Sequence, residues 1–153
     1  MSGPLTPRQI LLKAQRWCAS AERCAADVHA RILAWGGDER TAAEVIASLR
    51  AERYLDDRRY CRAFVLDRWR FCGWGRVKLR EALRHKGLPG GCIEEALGEI
   101  DEREYISGLR SLIARKAEGL TAASEYERRA KLARYAAGKG YELELVMRVI
   151  GGE

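Results

Sequence analysis

Apolar residues recur four positions apart along the chain, and three glycines, Gly36, Gly87 and Gly140, mark where this pattern changes register. An offset of four is typical of one face of an α-helix. Glycine suits a joint between two such helices because the residue that closes a helix often adopts the left-handed conformation. The apolar pairs that flank the glycines are Val28 and Ile32, Ala42 and Ile46, Leu79 and Leu83, Ile93 and Leu97, Leu132 and Ala136, and Val146 and Ile150.

Each glycine thus joins a pair of helices, and a further amphipathic helix precedes each of these three helix pairs. The first begins with a capping-box pattern at Thr6 and Gln9, and Ser124 and Glu127 form a second such pattern later in the chain. Asp56 or Asp57 is the predicted N-cap of the helix that opens the second pair. The predicted apolar face of that helix consists of Tyr60, Cys61, Phe64, Val65, Phe71 and Cys72.

Each of the three glycines is thus associated with three helices, which predicts an all-α protein built from three tandem three-helix repeats. Their predicted bounds are 8–50, 56–100 and 101–151, after an N-terminal tail at 1–7. One unit of about 45 residues is too small to bury a robust core alone. Stacked units gain interfaces, so we expect an elongated, curved stack that is right- or left-handed.

Composition supports the all-α class, since 47% of the residues are hydrophobic and only 3 of 153 are proline. The longest strictly apolar run, 63–66, is far too short to span a membrane, and 1–7 has no apolar signal core. We therefore expect a cytoplasmic protein without a membrane partner. The odd number of cysteines, 5, and their spacing favour reduced thiols over disulfides or a zinc site.

The distribution of charge gives information about binding partners, because the cations are concentrated in one segment. The chain has a formal net charge of +6, and 58–86 contains ten cations and only two acids, Asp67 and Glu81. An acid-rich stretch, 94–104, follows directly. This segregation predicts an acidic partner, such as nucleic acid or an acidic protein.

Arg76, Arg80 and Arg84 recur every four residues and form a predicted stripe beside the core-facing side of their helix. Trp74 lies between two glycines and is a candidate for stacking on a base or docking into a partner. The alternative for the stripe is a solvated face that aids solubility. Lys139 belongs to a second basic group near the third glycine. The full set of predicted binding residues is Arg70, Trp74, Arg76, Lys78, Arg80, Arg84, Lys86, Arg128, Arg129, Lys131 and Arg134.

Trp69 and Arg68 have other predicted roles. Trp69 falls at the edge of the apolar stripe, so burial between helices is its expected role. Arg68 lies inside that stripe, where its head group must reach solvent or a carboxylate.

The sequence has no Ser–His–Asp pattern, phosphate-cradling loop or metal-ligand cluster, and His29 has the spacing of a structural residue. We therefore predict a binding protein that is not an enzyme and has no cofactor.

The segments "YLDDRRYCRAFV" and "RWRFCGWGRVKLREALRHKGL", and more weakly "GKGYELELVMRVI", resemble the RecX family of bacterial recombinase regulators. The middle unit provides most of the specificity of this resemblance. Arg76 departs from the family pattern, which commonly has proline after the second glycine.

The resemblance implies a monomer that binds the filament of the RecA recombinase on single-stranded DNA, in DNA repair and the SOS response. It implies that binding modulates, and usually inhibits, ATP hydrolysis and strand exchange. A helix-turn-helix type of DNA-binding protein that does not require RecA is the alternative function. A scaffold for an acidic protein is a third possibility.

Overall fold

The computed structural model describes residues 3–152, and in this range the chain forms nine α-helices and no strand. The predicted all-α class is therefore confirmed. The helices are α1 (Pro7–Ser20), α2 (Ala25–Ala34), α3 (Glu39–Ala51), α4 (Asp57–Cys72), α5 (Arg76–His85), α6 (Gly90–Gly98), α7 (Glu102–Glu118), α8 (Glu125–Gly138) and α9 (Leu143–Ile150).

The helices pack in three groups of three, which follow one another along the chain. Helices α1–α3 pack together as the first unit, α4–α6 as the second and α7–α9 as the third. Within residues 3–152, no helix packs its backbone closely against a helix of another unit. The threefold repeat of three helices is thus confirmed. The predicted tail at 1–7 begins with Met1 and Ser2, which lie outside the described residues.

The glycines that anchor the repeat have the backbone conformation that their positions require. Gly36, Gly87 and Gly140 have φ angles of 92°, 79° and 97°, in the region that favours glycine. The apolar pairs that precede these glycines are fully or almost fully buried, as the helical spacing predicts. The sequence pattern therefore locates the turn between the second and third helix of every unit.

Side-chain caps fix where several helices begin. Thr6 and Gln9 form the predicted capping box, in which each side chain accepts a hydrogen bond from the other residue's N–H. Asp56, not Asp57, is the N-cap of α4. Ser124 accepts a hydrogen bond from the Glu127 N–H, but the Glu127 carboxylate accepts from the N–H of Ala123. The second predicted capping box is therefore only half formed.

The hydrophobic core is divided unequally among the three units. The first unit buries its own cluster, which includes Ile10, Ile32 and Leu49. The second and third units share one continuous cluster, in which Leu79 of α5 and Leu109 of α7 are both fully buried. The last two units are therefore coupled through apolar packing, which contributes about 25 cal/mol for each Å² of apolar surface removed from water.

Two loops interlock at the joint between the second and third units. The Gly75 N–H donates to the carbonyl oxygen of Lys139 at 2.8 Å, and the Val77 N–H donates to that of Gly140 at 2.9 Å. A Cβ atom added at Gly75 would lie 2.4 Å from the Gly140 carbonyl carbon. Only glycine at position 75 therefore allows this approach of the two backbones.

A polar network closes the same joint. The Arg76 N–H donates to the Tyr105 hydroxyl oxygen at 2.9 Å, and the Tyr105 hydroxyl donates to Glu142. The Arg76 guanidinium lies 3.8 Å from the centroid of the Tyr105 ring and donates to Glu142 at 2.8 Å. These contacts connect the start of α5 to α7 and to the start of α9.

The joint between the first and second units is mainly ionic. Arg59 pairs with Glu22 at 2.6 Å, Lys86 with Asp27 at 3.0 Å, and Arg50 with Asp57 at 3.2 Å. Cys24, the N-cap of α2, adds an apolar contact because it belongs to the buried cluster of the second unit. Ion pairs at a surface contribute little stability each, so this joint is weaker than the second one.

The aromatic residues of α4 are only partly placed as predicted. Trp69 is buried, which confirms its expected role. Phe71 was expected on the apolar face, but 83% of it is exposed, and Cys72 is exposed as well. Gly73 caps α4 in the left-handed conformation one residue later, so both exposed residues lie in the last turn of the helix.

All five cysteines are free thiols, as predicted. Cys18, Cys24 and Cys61 are buried, and burial raises the pKa of the Cys61 thiol to about 12. These three side chains therefore act as small hydrophobic groups, and only Cys72 presents an exposed thiol.

Candidate functional site

Most cations of the basic segment are paired with carboxylates in the folded protein. The acid-rich α6 packs against α4 and α5, so charges that are separated along the sequence meet in space. Seven of the ten cations between positions 58 and 86 make an ion pair: Arg58 with Glu95, Arg59 with Glu22, Arg62 with Glu99, Arg68 with Asp67, Arg76 with Glu102 and Glu142, Arg80 with Glu94, and Lys86 with Asp27.

Arg76 is the clearest departure from the predicted binding stripe. Its side chain is only 19% exposed and contacts both Glu102 and Glu142. Burial acts to raise the pKa of Glu142, but hydrogen bonds from Tyr105 and Arg76 outweigh it and hold that pKa below its ordinary value. Arg76 therefore serves the joint between two units rather than an external partner.

Arg80 and Lys86 are also engaged within the protein. Arg80 donates two parallel hydrogen bonds to Glu94, at 2.8 and 2.9 Å, which lower the pKa of that carboxyl group. Lys86 donates to both carboxylate oxygens of Asp27. Of the predicted stripe, only Arg84 is exposed without an ion pair among the described residues.

Trp74 lies in the loop before α5, as predicted, but it is turned toward the core. Its ring contacts the edge of the Phe64 ring, with centroids 6.1 Å apart. Lys78 lies 4.6 Å from the Trp74 centroid, and Arg68 lies 5.7 Å from it. The indole is therefore partly buried under two cations and is not an open stacking platform.

The basic group of the third unit is largely paired within α8. Arg128 and Arg129 both lie near Glu125, at 3.7 and 3.1 Å, and Lys131 pairs with Glu127 at 3.0 Å. Arg134 is exposed on the same helix. These local pairs are weak, and because Arg128 and Arg129 share one carboxylate, α8 keeps more cations than acids.

A groove between the end of α4 and α7 is lined by five cations for which no carboxylate partner is found among residues 3–152. It consists of two adjoining depressions of about 580 and 510 Å³, and Arg70, Gly73, Leu112 and Arg115 line both. The lining cations are Arg70, Arg103, Arg115, Lys116 and Lys139, and Glu104 is the one lining carboxylate. We call this region the cationic groove, and its remaining lining residues are Trp69, Phe71, Cys72, Ser107, Gly108, Ser111, Tyr135 and Tyr141.

Neutral groups hold the groove cations in place. Arg70 lies 5.6 Å from the centroid of Trp69, and Lys116 lies 4.8 Å from that of Tyr135. Lys139 donates to the carbonyl oxygen of Cys72 at 3.1 Å. Aromatic faces and carbonyl oxygens orient a cation without cancelling its charge. The positive charge of the groove therefore remains available to an external anion.

The sequence interpretation missed Arg103, Arg115, Lys116 and Phe71 as site residues, although one signal for the groove was present. On α7, Arg103, Ser107, Ser111 and Arg115 recur every four residues and form a polar stripe. Tyr105, Leu109 and Ile113 occupy the opposite, buried side of the same helix. The cations of this stripe are fewer than those of α5, but no carboxylate of the described part of the chain is paired with them.

The structure gives no sign of a metal centre or a membrane span within residues 3–152. No group of three or more His, Cys, Asp or Glu side chains in that range is arranged to hold a metal ion. None of the described helices is both long enough and apolar enough to cross a bilayer.

His29 pairs with Glu39 at 2.6 Å and so links α2 to α3, in line with its predicted structural role.

Two protein-family models match the chain. One describes the second three-helix domain of RecX and matches residues 56–97, and the other describes the third three-helix domain of RecX and matches residues 103–150. The matched segments include α4–α6 and α7–α9, apart from a residue or so at their ends, and therefore contain both walls of the cationic groove.

Curated relatives and a solved structure agree with these models. A protein of Thermus thermophilus named regulatory protein RecX is 34% identical over 109 residues, which cover 71% of this chain and 68% of that protein. Another of the same name, from Clostridium botulinum, is 31% identical over 117 residues, and the match spans 75% of this chain but only 54% of that relative. The crystal structure of RecX from Lactobacillus salivarius has the same fold, with a TM-score of 0.82, 16% identity and 95% coverage of each chain.

Proposed function

The chain belongs to the RecX family of regulatory proteins, and we propose that it regulates the RecA recombinase on single-stranded DNA. The proposed effect is inhibition of ATP hydrolysis and strand exchange by the RecA filament, in DNA repair and the SOS response. The protein acts by binding and has no catalytic step of its own. It works as a cytoplasmic monomer.

The cationic groove is the observation that supports this proposal. A filament of recombinase on DNA is a long polyanion, and unpaired guanidinium groups bind phosphates and carboxylates through paired hydrogen bonds. Arg70 belongs to the predicted binding set and lies at the centre of the groove, where it lines both depressions. Arg84 and Arg134 remain in the proposed contact surface because they are exposed.

The ion-paired residues of the predicted set leave the proposed contact surface. Arg76, Arg80 and Lys86 would have to break existing pairs before they could bind a new anion. Trp74 and Lys78 contact each other and so serve the second unit. The proposed contact with the filament therefore involves the joint between the second and third units, not the face of α5.

The test is the ATPase activity of RecA on single-stranded DNA with increasing amounts of this protein. A charge-reversed variant, Arg70→Glu with Arg115→Glu, is expected to need at least about tenfold more protein for half-maximal inhibition. Each lost charge-assisted hydrogen bond contributes about 1.5–3 kcal/mol, and 1.4 kcal/mol is a factor of ten. Equal inhibition by the variant and the natural protein would contradict the proposed contact surface.

A matched control changes the same amount of charge elsewhere. Arg8 and Arg16 are exposed on α1, far from the groove in the sequence, and neither has an ion pair with another described residue. Arg8→Glu with Arg16→Glu is expected to leave inhibition within about twofold. Thermal melting of both variants checks that each one folds. If the natural protein does not slow the ATPase at all, inhibition of RecA is not its function.

The second candidate function, DNA binding of the helix-turn-helix type without RecA, requires a helix that offers its side chains to base edges. The arginines of α5 do not suit that role because Arg76 and Arg80 are held by carboxylates. The groove favours a different form of direct DNA contact, which does not depend on reading a duplex.

A further inference from the structure

We propose that the cationic groove binds one single strand of nucleic acid directly, with phosphates on its arginines and a base stacked on Phe71. This inference deepens the proposed function and rests on it for the identity of the groove as the contact surface. It adds a ligand class and a stacking residue, and it requires no recombinase for binding.

Phe71 is the first observation behind this inference. It lies in the last turn of α4, next to Arg70, and lines the groove with 83% of its surface exposed. Burying such a side chain normally stabilises a fold, but this protein leaves the ring in solvent. An exposed ring beside cations is the arrangement with which proteins bind single strands, because every base has a face that can stack.

The stripe on α7 is the second observation. Arg103 and Arg115 lie twelve residues apart on one helix, which places their backbones about 18 Å from each other. Between them, Ser107 and Ser111 offer hydroxyl groups, and a Cβ atom added at Gly108 would meet nothing within 4 Å. The stripe can therefore lie along several consecutive phosphates, and its centre leaves room for a close backbone approach.

The cations at the other end of the groove complete the path. Lys116 and Lys139 line the depression that contains Phe71, and each is oriented by a neutral partner. A strand that follows α7 toward Phe71 thus meets positive charge on both sides of the ring. Glu104 lies in the other depression, so the part of the groove around Phe71 has no lining carboxylate.

A single strand fits these features better than a duplex or an acidic protein segment. The faces of duplex bases are covered by their neighbours, so Phe71 would have nothing on which to stack. An acidic peptide would satisfy the arginines, but it has no flat surface for the phenyl ring. The combination of a phosphate path and an exposed ring therefore favours an unpaired strand.

The test is fluorescence anisotropy of a labelled oligothymidylate mixed with the full chain, in the absence of recombinase. Phe71→Ala is expected to weaken binding about tenfold, whereas Phe71→Trp is expected to retain it, because both rings can stack. Tyr126→Ala is the matched control, since Tyr126 is 86% exposed on α8 and does not line the groove. Its expected effect is less than twofold.

Competitors separate the chemistry of the ligand. Inorganic polyphosphate offers phosphates without bases, so its own affinity, obtained from competition, is expected to be the same for the natural protein and for the Phe71→Ala variant. Polyglutamate tests the acidic-protein alternative. If it binds as tightly as oligothymidylate, or if Phe71→Ala behaves like Tyr126→Ala, the inference is wrong.

The two proposals fail in different ways. A protein that inhibits RecA but binds no oligothymidylate alone would overturn this inference and leave the proposed function in place. A protein that binds oligothymidylate through Phe71 but does not affect RecA would overturn the proposed function and leave this inference in place.

Discussion

Helix α5 and the cationic groove are both rich in arginine and lysine, but their charges have different surroundings. Arg76 and Arg80 on α5 contact carboxylates from α6, α7 and the loop before α9. Arg70 and Lys116 in the groove contact aromatic rings instead. The comparison shows that cations keep their charge available to an external anion only where the fold brings no acid beside them.

The two regions also differ in what their residues do for the fold. The start of α5 forms the tight joint between the second and third units, where Arg76 is mostly buried. The groove lies on the outer side of that joint and has walls from both units. Stability is therefore expected to depend on Arg76 and binding on Arg70, and the two effects can be measured separately.

The largest expected effect concerns Gly75, because the joint positions both walls of the groove. In Gly75→Ala the new Cβ atom would lie 2.4 Å from the Gly140 carbonyl carbon, so one loop must move. We expect the free energy of unfolding to fall by about 3 kcal/mol, at the upper end of the usual cost of overpacking. Urea denaturation followed by circular dichroism measures this change.

Gly91 in α6 provides the control for that substitution. A Cβ atom at Gly91 would meet nothing within 4 Å, and the residue lies in the first turn of α6. Gly91→Ala is therefore expected to stabilise the protein slightly, by up to about 0.5 kcal/mol, because alanine reduces the freedom of the unfolded chain. Similar results for the two glycines would show that the joint is not tightly packed.

The next effect separates Arg76 from Arg70. Arg76→Met removes hydrogen bonds to Glu102 and Glu142 and leaves the half-buried Glu142 without its cation, so we expect a loss of about 2 kcal/mol of stability. Arg70→Met is expected to cost less than about 0.5 kcal/mol, since Arg70 is exposed. Denaturation measures both values, and equal values would contradict the comparison.

A smaller effect follows from the pKa of Glu142. Hydrogen bonds hold it below the ordinary value of 4.5 in the folded protein, even though burial opposes this. The stability from this carboxylate is therefore fully present above pH 4.5 and is lost as the pH falls through the lowered pKa. Glu142→Gln is expected to be less stable at neutral pH and to have a shallower decline in acid.

Denaturation between pH 3 and pH 7 tests this expectation. The loss of stability in Glu142→Gln is expected to be smaller than that in Arg76→Met, because Arg76 keeps its contact with Glu102 when the charge of Glu142 is removed. An unchanged acid profile in the Glu142→Gln variant would show that this carboxylate is not responsible for the pH dependence.

The fold could be predicted from the sequence because each determinant is local. Helical spacing, the cap at Thr6 and the glycine at position 87 act within a few residues of where they are read. The continuous core of the last two units and the interlocked loops at Gly75 and Gly140 had no such signal. The interlocked loops join residues more than 60 positions apart in the sequence, and the shared core joins helices of different units, such as α5 and α7.

The site was predicted less well for the same reason. The density of cations in 58–86 led to the prediction of Arg70, which stays in the proposed contact surface, but the pairing of Arg80 with Glu94 depends on how α6 packs against α5. Phe71 has the spacing of a core residue relative to Phe64, but α4 ends two residues before Trp74, where no helix covers that face. Periodicity alone does not tell where a covering helix stops.

The most direct test of the central claim is the salt dependence of oligothymidylate binding by two double variants. Arg70→Gln with Arg115→Gln neutralises two groove cations, and Arg58→Gln with Arg80→Gln neutralises two ion-paired ones. The slope of log affinity against log salt is expected to become shallower by about 1.4 for the groove pair, or about 0.7 per phosphate contact, and to stay unchanged for the other pair. Equal slopes for the two variants, or a loss confined to the ion-paired set, would contradict the account.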